Sequence, residues 1–183
     1  MRTAASVLTL PVGSRDHIRG PRNAPVILVE YGDYECPYCA QAYLLMAELE
    51  RIAGDRMCYV FRNFPLTNAH PRAQQAAEAA EAAGAQGRFW EMHGVLYEHQ
   101  DALEPDDLAE YEAVIGLDVR RFVAELTEHR YAARVREDFL SGVRSGVNGT
   151  PTFFMNGLRY DGPRDVPSFL AAMEEVTEAQ PAR

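Results

Sequence analysis

Two periodicities divide the chain. Residues 26–31 are apolar on both faces, as a strand buried in a parallel sheet is, and residues 57–63 form a second strand-like run. Between them the period lengthens to that of a helix. Tyr43, Met46, Ala47 and Leu49 fall on one side, Glu50 on the other, and Gly54 ends the segment. Strand, helix and strand at this spacing predict a parallel pair with a right-handed crossover. Upstream, residues 1–24 read as a lead-in. Val7, Leu8, Leu10 and Val12 predict a short edge strand, and residues 16–21 a turn-rich approach to the core.

From residue 67 to 146 the pattern is helical almost throughout. Residues 72–83 are rich in Ala and Glu, with Pro71 suited to a first turn and Gly84 and Gly87 as stops. Residues 88–100 carry an apolar stripe of Phe89, Trp90, His93, Leu96 and Tyr97, on which His93 reads as a hydrogen-bonded core histidine. Shorter helices follow over 105–115, 118–127 and 131–142. The period then returns to two: residues 152–155 predict a strand, Asn156-Gly157 a tight hairpin, and 158–160 its antiparallel return. A last helix over 166–177, opened by Asp165 or Ser168, turns Phe169, Leu170 and Met173 inward, and 179–183 read as a frayed tail. The order β-α-β, helical block, β-β-α predicts an α/β domain. Four core strands come from 25–66 and 147–178, interrupted by a helical subdomain over 67–146.

Composition narrows the function classes. With 183 residues, 47% of them hydrophobic, the chain can bury a core without disulfide staples. A formal net charge of -9 argues against a nucleic-acid partner, which requires clustered Lys and Arg. No apolar run approaches the ~20 residues of a membrane span. The first ten residues make a poor signal peptide, so a cytoplasmic location is expected. Three cysteines are no disulfide framework, and Cys58, alone in the second strand, reads as buried.

The remaining two cysteines carry the chemistry. Cys36-Pro37-Tyr38-Cys39 falls where the first strand turns into the helix. Cys36 would sit at or next to the N-cap, where unsatisfied N–H groups and the helix dipole favour its thiolate. Cys39, one turn inside, is placed to form a reversible disulfide with Cys36, and Pro37 suits a position that needs no N–H partner. A zinc knuckle would need a second Cys or His pair. The five histidines, at 17, 70, 93, 99 and 129, are scattered, so no metal is expected. Glu30, near the end of the first strand, would have a raised pKa if buried and could exchange a proton with Cys39 through water. Thr150-Pro151 precedes a strand, a position compatible with a cis bond, with trans the default.

Together, Glu30, Cys36-Pro37-Tyr38-Cys39 and Gly149-Thr150-Pro151-Thr152 before the Asn156-Gly157 hairpin resemble the thioredoxin superfamily, and most closely its DsbA-like branch. The helical insertion separates that branch from plain thioredoxins. The resemblance covers about 24–178. It implies a thiol–disulfide oxidoreductase with no cofactor, in which Pro151 is cis beside the cysteines. Thr150 and Pro151, with Pro37 and Tyr38, would then bind an extended substrate segment. Protein thiols or disulfides would be the substrates, regenerated by an unidentified redox partner. The Pro-Tyr dipeptide, also familiar from glutaredoxins, keeps a glutathione- or small-thiol-dependent enzyme open as an alternative. A peptide-binding module with a structural disulfide is the non-enzymatic one.

Overall fold

The computed structural model describes residues 6–179. The start of the lead-in (1–5) and most of the expected tail (180–183) lie outside the described residues. The strands are His17–Arg19 (β1), Val26–Gly32 (β2), Met57–Asn63 (β3), Thr152–Met155 (β4) and Leu158–Tyr160 (β5). The helices are Pro37–Ala53 (α1), Ala73–Gly84 (α2), Phe89–Glu98 (α3), Pro105–Ile115 (α4), Val119–Thr127 (α5), Ala132–Arg144 (α6) and Val166–Glu178 (α7). The strands form one sheet in the order β1-β3-β2-β4-β5, with β1 antiparallel to β3, β4 antiparallel to β2, and β5 antiparallel to β4. No helix among the described residues is long and apolar enough to cross a membrane.

Local chemistry explains the boundaries. Asn156 and Gly157 both have positive φ (48° and 84°), as the tight turn between β4 and β5 requires. Asn156 also anchors the turn to β2: its side chain accepts the Ile27 N–H at 2.7 Å and donates to the Pro25 carbonyl at 3.0 Å. Asp165 rather than Ser168 caps α7, its carboxylate accepting the Ser168 N–H at 2.8 Å. Pro71 stays in the turn ahead of α2 instead of entering its first turn.

The lead-in departs from expectation. The edge strand is not at Val7–Val12. There Val7 makes one isolated antiparallel bridge to Leu158, framed by hydrogen bonds from Leu8 N–H to Gly157 and from Arg159 N–H to Ser6. Pairing stops there because β5 begins at Leu158, directly after the Asn156-Gly157 turn, and the next N–H, of Thr9, goes to Ser145 Oγ at 3.0 Å. The fifth strand is instead β1, inside the segment expected to be a turn. It ends at Gly20, whose φ is +82° and where a Cβ would stand 2.3 Å from the Met57 carbonyl oxygen, a site open only to glycine.

The chain forms two compact units. One holds residues up to 31, 41–62 and 141 onward; the other holds 32–40 and 63–140. In the first, Leu28, Tyr31, Leu49, Tyr59, Phe61, Phe153, Phe154 and Phe169 are fully buried. Phe153 meets Phe169 edge-on at 5.2 Å, and Tyr31 meets Phe154 at 5.9 Å. Arg62 is also fully buried there, with all five N–H donors used. Nε and one NH2 proton reach Asp16 (2.8 and 3.1 Å), and the others reach Leu10 O, Pro11 O and the Tyr31 hydroxyl. Burial opposes its charge, yet the hydrogen bonds to Asp16 and Tyr31 hold its pKa above the usual arginine value.

In the second unit, α2 packs against α3, α4 and α5, and Ala73, Ala76, Ala77, Ala79, Ala80, Ala82 and Ala83 are buried along it. Small side chains let these helices approach closely. Phe64 stacks on Phe139 at 4.4 Å. The helical unit extends earlier than the expected start at 67 because Asn63 is tied into it. The Asn63 side chain donates to Glu81 at 2.7 Å, and its N–H to Asp138 at 3.1 Å. It closes before the expected end at 146, since Ser141 and Ser145 bond instead to Tyr31 and Thr9 of the first unit.

Candidate active site

Cys36 immediately precedes α1, and Pro37 opens the helix, where a missing N–H is no loss. The Cys36 carbonyl accepts from Cys39 N–H at 3.0 Å and Ala40 N–H at 3.2 Å, while the Cys36 N–H donates to Asp33 O at 3.2 Å. The first helical turn therefore fixes both cysteines on one backbone frame, with Cys39 one turn inside. Both stand in the dithiol form and both are buried, Cys36 at 4% exposure and Cys39 at 0%. Tyr38, between them, is exposed at 63%.

Four side chains from elsewhere in this unit hold the cysteine turn. Asp33 is buried. Its Oδ1 accepts the Glu35 N–H at 2.8 Å, and its Oδ2 accepts the Leu66 N–H and the His70 Nδ1–H, each at 2.8 Å. Gln100 donates from one nitrogen to the carbonyls of Tyr34 (2.8 Å) and Cys36 (2.9 Å). The Glu35 carboxylate accepts the Arg72 N–H at 2.7 Å, and the Arg72 guanidinium pairs with Glu35 and Glu104. His93 is a hydrogen-bonded core histidine, as its stripe implies. Its Nδ1 meets the Tyr34 hydroxyl at 3.0 Å, and its ring packs edge-on against Tyr34 and Tyr97.

The other predicted site residues belong to the first unit. Glu30 is buried in β2 opposite Phe153, and its Oε2 accepts the Tyr59 hydroxyl at 2.7 Å. Burial, then the Glu30 charge and hydrogen bond, push the Tyr59 phenol well above its usual pKa, so Tyr59 stays a donor. The Thr150–Pro151 peptide bond is cis. The loop around it is held by Thr152 Oγ1, which donates to Gly149 O at 2.7 Å, and by Arg164, which donates to Pro151 O at 2.9 Å. Cys58 is buried in β3, and burial pushes its thiol pKa up, which suits it to packing and not to attack. No cluster of three or more His, Cys, Asp or Glu among the described residues is arranged to hold a metal ion.

Asp33, His70 and Gln100 escape the sequence reading. His70 counts there only as one of five scattered histidines, and Asp33 and Gln100 do not figure there. The available signals were slight: an Asp three residues before Cys36, and a His ahead of Pro71 where a loop leads into a helix.

Known proteins frame this geometry. The family model described as thioredoxin matches residues 13–175. Among curated proteins, the chain is 50% identical over 167 residues to the Na(+)/H(+) antiporter NhaA 3 of Salinispora tropica, covering 91% of this chain and 26% of that protein. It is 44% identical over 169 residues to the Na(+)/H(+) antiporter NhaA of Herminiimonas arsenicoxydans, covering 92% and 27%. The chain thus spans about a quarter of the length of the curated relatives it matches. Among solved structures, oxidised BdbD from Bacillus subtilis matches with a TM-score of 0.84 at 22% identity, covering 96% of this chain and 100% of that one. Wolbachia pipientis α-DsbA1 matches at 0.78 and 19% identity, covering 94% and 95%.

Proposed function

The chain belongs to the thioredoxin family and has a DsbA-like fold, and from that premise we propose that it exchanges a Cys36–Cys39 disulfide with protein thiols. The observation that carries the reading is Cys36 at the head of α1, its backbone locked to Cys39, with exposed Tyr38 beside it. In the oxidising direction a substrate thiolate attacks Cys36 Sγ. The Cys36–Cys39 bond breaks, its electron pair goes to Cys39, and a substrate–Cys36 mixed disulfide forms. A second substrate thiolate then attacks the substrate sulfur of that bond, and Cys36 leaves as a thiolate. The substrate is oxidised to a disulfide and the pair reduced to a dithiol, by two electrons. Reduction of a substrate disulfide runs these steps backwards.

Glu30 takes the role of proton acceptor and donor for Cys39, and the Thr150–Pro151 loop that of a backbone edge for an extended substrate segment. Cys39→Ser is expected to accumulate mixed disulfides that mass spectrometry maps to Cys36, and Cys36→Ser to accumulate none. Glu30→Gln, which keeps an acceptor for Tyr59, is expected to slow exchange by ~10²-fold, the lower end of what positioned proton transfer typically contributes. If both single-cysteine variants reduce insulin and oxidise dithiols as the wild type does, the proposal fails. Turnover that saturates with glutathione and survives loss of Cys39 would favour the small-thiol enzyme instead.

A second reading concerns the partner. Relatives of which this fold makes up about a quarter carry the printed name of a sodium/proton antiporter. We infer that a membrane ion transporter is a partner, either as the rest of a longer chain or as a separate protein. Trapped Cys39→Ser adducts are expected in the membrane fraction, and adducts confined to soluble proteins would remove this reading.

A further inference from the structure

The motif Cys36-Pro37-Tyr38-Cys39 has no charged side chain between its cysteines, so any cation that steadies the Cys36 thiolate comes from outside it. The loop between β3 and α2 supplies one. His70 Nδ1 stands 2.8 Å from Asp33 Oδ2, and that oxygen also accepts the Leu66 N–H, which fixes the loop. Asp33 is bound to the cysteine turn as well. Its other oxygen accepts the Glu35 N–H, and its backbone carbonyl accepts the Cys36 N–H at 3.2 Å. One buried aspartate, through its carboxylate and its backbone carbonyl, thus fastens the histidine and the nucleophile to a single frame.

The charges around the ring are Asp33, Glu35 and Cys36 from the turn, and Arg72 from the start of α2. Arg72 is taken up by Glu35 and Glu104. Burial opposes a charge on the half-buried ring. The hydrogen bond and charge of Asp33, then the charges of Cys36 and Glu35, outweigh it and raise the His70 pKa above 6.5. With Nδ1–H held by the carboxylate, the second ring proton resides on Nε2 in the charged form.

We propose that His70, oriented by Asp33, stabilises the Cys36 thiolate as nucleophile and leaving group, a role that rests on the thiol–disulfide reading above. When the mixed disulfide breaks, the electron pair of the S–S bond stays on Cys36 Sγ beside an imidazolium, and no proton moves in that step. Asp33 is the positioning residue. Stabilising the thiolate stabilises the reduced protein, so the pair is the more oxidising for having His70.

The test reads Cys36 and His70 separately. The Cys36 pKa is taken from the pH dependence of its alkylation rate, mapped by mass spectrometry, and the redox equilibrium is measured against glutathione. His70→Gln is expected to raise the Cys36 pKa by about one unit. It is also expected to shift the equilibrium about tenfold toward the disulfide, roughly 30 mV more negative. Because coupling is reciprocal, the His70 pKa read by NMR in the reduced protein is expected to fall in Cys36→Ser, a readout that needs no change at His70. An unchanged Cys36 pKa in a folded His70→Gln protein, or an unchanged His70 pKa in Cys36→Ser, overturns the proposal. Mixed disulfides still trapped at Cys36 would then leave the thiol–disulfide reading standing. Their absence from Cys39→Ser would instead count against that reading itself.

Discussion

His70 and Asp33 also stabilise the fold, and pH separates that contribution from the redox one. The folded state raises the His70 pKa above the 6.5 of an ordinary histidine. Their ionic bond is therefore complete below the unfolded value and is lost as pH rises through the folded value. In the disulfide-bonded protein Cys36 carries no charge, so Asp33 and Glu35 remain as the causes. The difference in unfolding free energy between wild type and His70→Gln, from denaturant titrations of the oxidised protein, is expected to shrink by about 1 kcal/mol from pH 5.5 to pH 8.5. A gap that stays constant or widens would contradict the assignment. The placements of the cysteines at the start of a helix, of Glu30 inside a strand and of Thr150-Pro151 ahead of one were legible in the sequence because each stands at a distinctive place in a strand or turn. His70 was not. Its meaning depends on a hydrogen bond to a residue on another segment, and no local pattern encodes that.

Among the elements, those with a long periodic pattern or a turn signature such as Asn156-Gly157 were legible, and β1, with neither, was not. The helices α2 to α7 fall within a few residues of the predicted spans. β1 has three residues, too few to show a period, and its pairing to Tyr59–Phe61 is a long-range fact. In α2 the composition predicted a helix but not its surroundings. Ala and Glu suit an exposed helix, yet Glu78 and Glu81 are buried, Glu78 meeting Gln74 and the exposed His129, Glu81 meeting Asn63 and Arg134. The alanines are equally constrained. Ala80 is fully buried where α2 packs against three neighbouring helices. Ala80→Leu is expected to destabilise the fold by about 1–3 kcal/mol through overpacking, measured by thermal or chemical denaturation. A neutral effect would mean that α2 has room to shift.

At the scale of the whole molecule, the order of halves and insertion was legible, and the partition into compact units was not. Composition marks residues 67–146 as helical. The Leu66 N–H donating to Asp33 ties the cysteine turn to them, and Asn63, donating to Glu81 and Asp138, ties in the end of β3. Besides β1 and the Val7 bridge, the buried guanidinium of Arg62 joins the lead-in to the sheet. Arg62→Met would leave Asp16 buried without its counter-charge and is expected to cost about 3–5 kcal/mol in denaturant unfolding. Replacing both residues with apolar ones is expected to cost less, since it is the stranded charge that is expensive. A double variant as unstable as the single one would show that packing, not charge, sets the penalty.

The same arginine gives the molecule a direction of mechanical strength. Drawn outward by the N-terminal side, Ser6–Leu8 would peel from β5 one hydrogen bond at a time, as a zipper opens at low force. The pull would then arrive at Thr9, held by Ser141 and Ser145, and at Leu10, Pro11 and Asp16, which Arg62 grips together, so the load is shared among several bonds at once. Extension from that side therefore meets a soft stretch followed by a hard stop, a built-in strain limiter ahead of the strand that leads to Cys36.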